Sequence, residues 1–441
     1  MSVPLPSVST VLPEKIELRP VHDLRPYARN ARTHSARQIR QIADSIRRFG
    51  FVNPVLLSDD DEIVAGHGRV EAARLIGLET VPVLRLAHLG AADRRAYLLA
   101  DNKLAENAGW DRAILEIELQ ALIDLDVDVE ITGFSLAEID LTLDASGPPP
   151  AAGAPPPAPV PGPAVTRPGD LWLLGPHRLV CGDARDAAVV TQLVGVEPID
   201  LIFTDPPYNV PINGHVSGLG RVTHREFACA SGEMSEAAFA DFLATTLGHA
   251  ARVAKDGAIA FVCMDWRHMG ELLAAGRAVF GELKNLCVWN KTNAGMGSFY
   301  RSKHELIFVY KIGTAAHTNS FSLGETGRYR TNVWDYAGAN AVGATRDADL
   351  AMHPTVKPVA LIGDALRDCS RRGNTVLDPF GGSGSTLIAA ERSGRKAQLV
   401  EIDPLYCDTI LRRFESETGM EAHLAATGAR FQACRTRGTG A

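Results

Sequence analysis

An acidic residue, two prolines and a tyrosine stand together as Asp205, Pro206, Pro207 and Tyr208, directly after the apolar run IDLIFT. Consecutive prolines predict a rigid turn that fixes a carboxylate, a backbone carbonyl and an aromatic ring in one corner. A flat base with an exocyclic amine fits such a corner. Asp205 and the Pro206 carbonyl can accept its two N–H bonds while Tyr208 stacks on its ring. A structural turn capped by Asp205 is the alternative when the motif is taken alone.

A glycine-rich stretch, DPFGGSGST, begins at Asp378 after another apolar run and contains Phe380, Gly382 and Gly384. Its glycines let the backbone approach a ligand closely and present N–H groups at a helix N-terminus. The stretch lacks the lysine of a P-loop, which argues against ATP or GTP. Glu401, about 20 residues further on, fits a carboxylate that holds a ribose. A dinucleotide-binding fingerprint and a structural turn are the alternatives.

Thr355 and Lys357 stand between two prolines in HPTVKP, just before the helical pattern VALIGDALRDCS. A hydroxyl and an ammonium group at a proline-fixed helix start could hold the carboxylate of a ligand. A helix entry with a solvated lysine is the alternative for this motif.

Apolar, β-branched runs alternate with helical patterns in the second part of the chain. The predicted strands are RLVCGD (178–183), IDLIFTD (199–205), GAIAFVCMD (257–265), ELIFVYK (305–311), NTVLDPF (374–380) and KAQLVEID (396–403). This alternation is typical of a doubly wound α/β fold with a parallel sheet. Ligands bind such sheets at the carboxyl ends of the strands, where the three motifs fall.

The segment from Pro148 to Pro168 is rich in proline, which provides no N–H for helix or sheet, and predicts an extended linker. Before it, Ser35, a helical apolar stripe ending at Gly50, the run PVLLS and the run TVPVLRL indicate a small α/β module. The predicted divisions are a small α/β domain at 13–110, a helical extension at 111–143, the linker at 144–166, a larger α/β domain at 167–420 and a flexible tail at 421–441.

The composition excludes several classes of protein. Lys and Arg total 45 against 52 Asp and Glu, so the net charge of −7 confines any nucleic-acid contact to a local surface. The 7 cysteines are widely spaced without a CxxC pair, which argues against a disulfide framework or a zinc site. No apolar run approaches about 18 residues and no signal-peptide pattern opens the chain, so we expect a cytoplasmic protein without a membrane partner.

Together, TDPPY, HPTVKP, LDPFGGSGST and VEIDPLY resemble the motifs of S-adenosylmethionine-dependent DNA amino-methyltransferases. The resemblance covers roughly 167–415, and the motif order is similar to that of the beta class, which is often dimeric. It implies a target-base and catalytic corner formed by Asp205, Pro206, Pro207 and Tyr208. It also implies contacts with the cofactor: Asp183 near its adenine, Glu401 at its ribose, and Thr355 with Lys357 at its methionine end. The residues implied to cradle the cofactor are Asp378, Phe380, Gly382 and Gly384.

The implied partner is double-stranded DNA, from which the target base is flipped before direct methyl transfer without a catalytic metal. C5-cytosine methylation needs a nucleophilic cysteine, which in that family follows a proline. It is excluded because this chain has no Pro-Cys dipeptide. The residue before Pro-Pro-Tyr is Asp205 rather than a serine, which favours adenine N6 over cytosine N4 as the target. The protein is a possible homodimer. Alternative functions are a ParB-like partition protein and an RNA or protein amine methyltransferase.

The N-terminal part resembles the ParB N-terminal, sulfiredoxin-like domain over roughly 15–108, with Gly66, His67, Gly68 and Arg69 at the phosphate loop of that family. Sulfiredoxin activity is rejected because this loop has no cysteine. ParB loops bind CTP, but the 111–143 segment looks too short for the helix-turn-helix domain that follows in ParB, which argues against a CTP-gated clamp. An arginine-rich face over 22–48 favours nucleotide or DNA phosphate, with a solvated helix surface as the alternative.

Recognition of the DNA sequence is weakly marked in the larger domain. Arginine suits contacts with phosphate and guanine, so arginines in two predicted loops are the candidate DNA contacts. They are Arg221, Arg225, Arg328 and Arg330. A solvated loop arginine is the alternative at each position.

Overall fold

The computed structural model describes residues 15–125, 127–144, 162–210, 230, 232–292, 299–321, 329–338 and 356–438. The chain forms two compact units, one as far as Ser135 and the other from Leu136 onward. This division precedes the proline-rich segment that the sequence predicts as a linker. No helix in the described ranges is long and apolar enough to cross a membrane.

The first unit is a small mixed sheet with helices. Its helices are α1 (Ala36–Phe49), α2 (His67–Leu75), α3 (Ala91–Glu106) and α4 (Arg112–Asp124). Within the described residues its sheet has four strands in the order β1 (Glu17–Pro20), β4 (Thr80–Arg85), β2 (Val55–Leu57) and β3 (Ile63–Ala65). Strands β2 and β4 are parallel, and the other two pairs are antiparallel.

Helix α1 begins and ends where the sequence predicts. The hydroxyl of Ser35 accepts a hydrogen bond from the Gln38 amide at 3.1 Å, which satisfies a free N–H of the first turn. Gly50 ends the helix with φ +83°, a conformation that favours glycine. The strands and helices bury an apolar cluster that includes Val55, Leu57 and Val83.

The second unit is a large α/β domain. Its helices are α5 (Leu136–Asp144), α6 (Ala187–Val194), α7 (Glu236–Arg252), α8 (Met269–Phe280), α9 (Val359–Cys369), α10 (Ser385–Arg392), α11 (Pro404–Thr418) and α12 (Phe431–Gly438). Its strands are β5 (Leu171–Leu174), β6 (His177–Cys181), β7 (Ile199–Thr204), β8 (Ala254–Met264), β9 (Gly281–Lys291), β10 (His304–Ile312), β11 (Val333–Tyr336), β12 (Thr375–Asp378), β13 (Lys396–Glu401) and β14 (His423–Leu424).

Among the described residues these strands form one ten-stranded sheet in the order β11, β9, β10, β8, β7, β12, β13, β6, β5, β14. The central run from β8 to β6 is parallel throughout. Strand β10 is antiparallel to both of its neighbours, and β5 and β14 continue the sheet antiparallel at the other edge. The predicted α/β fold with a mainly parallel sheet is confirmed, and each of the six predicted strands is present.

Residues of the central strands alternate between two apolar cores, one on each face of the sheet. On β8, Phe261 faces the core that also contains residues of α9, α10 and α11, whereas Val262 faces the core that contains residues of α6, α7 and α8. Because both faces are covered, the strands read as continuous apolar runs in the sequence. Because the strands from β8 to β6 are parallel, their carboxyl ends lie at the same edge of the sheet.

Candidate active site

Acidic residues stand at the carboxyl ends of neighbouring parallel strands. Asp205 follows β7, Asp378 ends β12, Glu401 ends β13, and Asp183 lies two residues after β6. Because these strands are adjacent in the sheet, the four carboxylates line one open cavity, whose space including adjoining solvent is about 1210 Å³. This is the edge at which open α/β sheets bind ligands.

The cavity collects most of the residues that the sequence motifs predict for base and cofactor binding. Those that line it are Asp183, Asp205, Pro206, Pro207, Tyr208, Lys357, Asp378, Phe380, Gly382 and Glu401. Gly384 instead starts α10 with φ +80°, and a Cβ there would lie 3.2 Å from the Ile410 side chain. Thr355 lies outside the described residues. The structure thus brings together motifs that are up to about 200 residues apart in the chain.

Glu401 fixes the glycine loop from the neighbouring strand. Its carboxylate accepts hydrogen bonds from the backbone N–H of Gly382 at 2.7 Å and of Asp403 at 2.9 Å. Burial raises the pKa of Glu401 to about 7, against the opposite effect of the two backbone donors. The carboxylate therefore both holds the loop and remains available at the cavity wall.

Asp378 is a buried hub beneath the same loop. Its carboxylate accepts hydrogen bonds from the hydroxyls of Thr386 at 2.6 Å and Thr204 at 3.1 Å, and from the Phe380 amide at 3.1 Å. Burial raises the pKa of Asp378 to about 7. These contacts join the ends of β7 and β12 to the start of α10, so Asp378 shapes the loop that the sequence motif predicted as a cofactor cradle.

Asp183 lies at the far side of the cavity, where it pairs with Arg185. The carboxylate accepts from the Arg185 guanidinium at 2.6 Å and from the Arg185 amide at 2.8 Å. Burial acts to raise the pKa of Asp183, but the hydrogen bonds from Arg185 outweigh it and lower the pKa. An ionised carboxylate is therefore present on this wall at neutral pH.

Lys357 and Asp205 meet in the corner after β7. The Lys357 ammonium, on a residue only 5% exposed, donates to Asp205 Oδ2 at 2.6 Å, and the Tyr208 hydroxyl donates to Asp205 Oδ1 at 2.6 Å. Burial raises the pKa of Asp205, while the nearby Lys357 ammonium opposes that effect. In this structure Lys357 contacts Asp205, Tyr208 and Glu305, and a contact with the methionine end of a cofactor stays a prediction.

Glu305 and Lys291 also belong to the corner, and sequence reasoning missed them. Glu305 Oε2 lies 2.9 Å from the Lys357 ammonium, and its other oxygen contacts the Lys291 ammonium. Burial acts to raise the pKa of Glu305, but the two lysines outweigh it and lower the pKa to about 2. The available signal was a carboxylate at the start of the otherwise apolar strand ELIFVYK.

The predicted phosphate loop of the first unit also lines a cavity. Gly66, His67, Gly68 and Arg69 open α2 there, beside Arg32 and other polar residues. The buried Nε of Arg69 has no hydrogen-bond partner among the described residues. Burial lowers the pKa of His67, which favours the neutral ring. The loop therefore forms a concave site with an unsatisfied guanidinium N–H.

The candidate DNA-contacting arginines have different outcomes. Arg330 donates to Asp368 at 3.0 Å and lies 4.9 Å from the Trp334 ring centre, so its guanidinium is engaged inside the second unit. A contact of Arg330 with DNA stays a prediction. Arg221, Arg225 and Arg328 lie outside the described residues. In the described part of the chain, no His, Cys, Asp and Glu side chains are grouped to hold a metal ion.

Parts of the chain match known protein families. Residues 8–102 match the ParB N-terminal domain, residues 113–168 the ParB-methyltransferase HTH domain, and residues 199–412 the N6/N4 family described as DNA methylase. The match at 113–168 corrects the expectation that the segment after the ParB-like module is too short for a helix-turn-helix domain.

Individual proteins resemble each half of the chain. The ParB-like nuclease domain-containing protein YnaK of Escherichia coli (strain K12) is 52% identical over 75 residues, which cover 17% of this chain and 86% of YnaK. The DNA adenine methyltransferase YhdJ of the same organism is 28% identical over 255 residues, covering 52% of this chain and 81% of YhdJ. The solved structure of the cytosine-N4-specific PvuII DNA methyltransferase has 17% identity and a TM-score of 0.41, and the match covers 54% of this chain and 85% of that chain.

These matches confirm both resemblances that the sequence motifs indicated. Residues 199–412 are thus a domain similar to the N6/N4 DNA methylases, and ahead of it the chain carries a domain of the ParB N-terminal family.

Proposed function

We propose that the protein transfers a methyl group from S-adenosylmethionine to the exocyclic N6 amine of adenine in double-stranded DNA. The observation that carries this proposal is the single cavity in which the Asp205 corner, the Gly382 loop and Glu401 meet. One end of that cavity suits a planar amine and the other suits a nucleoside. A methyl donor and its acceptor would therefore lie side by side, which is the main requirement for direct transfer.

The residues of the cavity fit the cofactor. The glycine loop allows close backbone approach, and the Glu401 carboxylate offers acceptor capacity for ribose hydroxyls beyond its two backbone donors. Asp183 and Phe380 would face the adenine end, with polar and apolar contacts respectively. S-adenosylmethionine, when bound, supplies a methyl carbon that is already electrophilic because it is attached to a sulfonium.

The corner residues act on the acceptor base. Asp205 and the Pro206 carbonyl would accept the two N–H bonds of the amine, which orients its lone pair and stabilises positive charge as it develops on nitrogen. Tyr208 would stack on the base and replace the stacking that is lost when the base leaves the duplex.

Adenine is the proposed base for two reasons. The residue before Pro206-Pro207-Tyr208 is an aspartate, and the relative YhdJ carries the name of a DNA adenine methyltransferase. Cytosine N4 presents a similar amine to the same corner. It is therefore the principal alternative that an experiment must separate.

The first unit is proposed to bind phosphate of DNA or of a nucleotide such as CTP. The support is the concave loop from Gly66 to Arg69, with its unsatisfied Arg69 N–H, at the start of helix α2. Helix N-termini and guanidinium groups both favour anions. This unit would help the methyltransferase unit to bind or select its DNA.

The test is methyl transfer from labelled S-adenosylmethionine to unmethylated genomic DNA, followed by digestion to nucleosides and mass analysis. N6-methyladenine is the expected product. N4-methylcytosine would retain the mechanism and change the base. No methylated nucleoside in DNA would contradict the proposal, and parallel reactions with RNA or protein, each with nuclease-treated competitors, would then identify the acceptor class.

A further inference from the structure

We propose that Glu305 is a positioning residue of the catalytic corner: together with Lys291 it balances the charge of Lys357, so that Lys357 can hold the Asp205 carboxylate without making the corner cationic. This inference rests on the proposed methyl transfer to an amine and names how the same site tolerates a buried lysine beside its catalytic carboxylate.

The geometry assigns each carboxylate oxygen of the cluster a partner. The Lys357 ammonium bridges Asp205 Oδ2 at 2.6 Å and Glu305 Oε2 at 2.9 Å, and the Lys291 ammonium contacts Glu305 Oε1. The Tyr208 hydroxyl lies 2.6 Å from Asp205 Oδ1 and 3.3 Å from Glu305 Oε2. Lys357 is therefore held between the two carboxylates.

When Asp205 and Glu305 are both ionised, the charges of the cluster cancel. Two carboxylates, Asp205 and Glu305, face two ammonium groups, Lys357 and Lys291. Among the described residues, Tyr208, Cys263 and Asp378 are further titratable groups near the cluster. Burial raises the pKa of Tyr208 and Cys263 well above the usual values, so both remain neutral. Burial also raises the pKa of Asp378, to about 7. In a buried site, a net charge left by removing one member of such a cluster is poorly screened.

Charge balance matters because the reaction moves positive charge. In the proposed transfer, the amine nitrogen forms a bond to the methyl carbon as the bond between that carbon and sulfur breaks. The electron pair of the broken bond remains on sulfur, and the nitrogen then releases a proton to solvent. Positive charge thus passes to the amine nitrogen beside Asp205. A cationic corner would oppose that step, whereas a neutral one with Asp205 ionised favours it.

The test compares Glu305→Gln, Lys291→Met and the double variant with the wild type. Glu305→Gln retains the shape of the side chain and leaves the corner with one extra positive charge. We expect kcat to fall at least about tenfold, equivalent to about 1.4 kcal/mol. The double variant restores neutrality and is expected to regain part of that loss. Glu282→Gln, which removes an exposed carboxylate from the adjacent strand β9, is the matched control.

A binding measurement separates charge balance from a merely structural role. S-adenosylmethionine and S-adenosylhomocysteine differ by one positive charge at sulfur, and calorimetry on each variant measures both affinities. Glu305→Gln should weaken the binding of S-adenosylmethionine more than the binding of S-adenosylhomocysteine. Lys291→Met, which leaves Glu305 paired with Lys357, should change the ratio in the opposite direction. A structural role would lower both affinities together and leave the ratio unchanged.

The inference is overturned if folded Glu305→Gln has wild-type kcat and affinity ratio, or if the double variant is no better than Glu305→Gln. If Glu305→Gln does not fold, Lys291→Met still decides: no change in ratio, or a change in the same direction as the extra positive charge predicts, overturns the inference. Failure of the proposed function is distinguishable, because absence of methylated DNA with the wild type leaves the binding ratios as an independent test.

Discussion

Asp140 on helix α5 forms an ion pair with Arg395, whose side chain is completely buried in the second unit. The guanidinium donates to the carboxylate at 2.9 Å and 3.2 Å. Asp144, at the end of the same helix, pairs with Arg367 at 3.1 Å and also contacts Arg372. The chain is therefore attached to the second unit before it enters the proline-rich segment.

The chain is attached to the same unit again after that segment. The backbone N–H groups of Val165 and Thr166 donate to the Asp408 carboxylate at 2.9 Å and 3.0 Å. The second unit therefore contains described residues from both sides of the proline-rich segment, and the boundary with the first unit falls after Ser135.

Replacement of Asp140 by asparagine is expected to destabilise the second unit. The substitution leaves Arg395 charged and buried without its carboxylate, which typically costs about 3 to 5 kcal/mol. The measurement is the unfolding midpoint in urea, followed by tryptophan fluorescence, to which the buried Trp172 of the second unit contributes. Glu138→Gln changes an exposed residue of the same helix and is the control. Equal midpoints for the two variants would show that the buried pair contributes nothing.

Asp205→Ala is expected to abolish methyl transfer and to leave binding of S-adenosylhomocysteine, which carries no charge on sulfur, intact. Removal of the carboxylate deletes an acceptor for the amine, a type of loss that commonly costs about 100-fold or more in kcat. Lys357 keeps Glu305 as a partner, so the buried ammonium is not stranded. The measurements are single-turnover methyl transfer and calorimetric binding of S-adenosylhomocysteine, with exposed Asp241→Ala as the control. Retained turnover would refute the assigned corner.

The carboxyl-end motifs could be predicted from sequence because their signals are local. Apolar runs specify buried strands, and the prolines after Asp205 and the glycines after Asp378 mark the points where those strands end. The rule that neighbouring parallel strands end at one edge then places the motifs together. The cavity that they line follows from these steps without knowledge of the side-chain contacts.

The remainder of the site depends on pairings that no local pattern encodes. Glu305 reaches Lys291 because β10 lies antiparallel to β9, with Glu305 opposite Trp289. The sequence analysis predicts no strand over the residues of β9, so the pairing of β10 with β9 could not be predicted from sequence. The partners of Lys357 and the attachment of α5 through Asp140 are likewise long-range contacts. From composition and spacing alone, Glu305 and Asp140 look like ordinary surface carboxylates.

Binding of S-adenosylmethionine near neutral pH is expected to release a proton from Glu401. In the free protein burial raises the pKa of Glu401 to about 7, so part of the population is protonated. Ribose hydroxyls that donate to the carboxylate would favour its charged form and lower the pKa. Calorimetry in buffers with different ionisation enthalpies measures the proton release. Glu401→Gln should abolish the release, and an identical buffer dependence in that variant would contradict the assignment.

Asp378 is expected to make the unliganded protein less stable as pH rises. Its folded-state pKa of about 7 lies above the ordinary 3.8, so the folded state binds the proton more tightly than the unfolded state. This contribution to stability is fully present below about pH 4 and is lost as pH rises through 7. Thermal unfolding between pH 5 and 8 should show wild type losing stability relative to Asp378→Asn. A constant difference across that range would contradict the raised pKa; exposed Asp241→Asn is the control.

Arg69→Ala is expected to weaken binding of nucleotide or DNA without changing which base is methylated. The Arg69 guanidinium lies against Gly66, where an added Cβ would be 2.9 Å from its Nη2, and its buried Nε has no partner among the described residues. Loss of this cation should reduce affinity for phosphate and the salt dependence of DNA binding. The measurements are calorimetry with CTP and fluorescence anisotropy with duplex DNA at several salt concentrations. Exposed Arg112→Ala on α4 is the control, and unchanged affinity of Arg69→Ala for both ligands would refute the loop as a phosphate site.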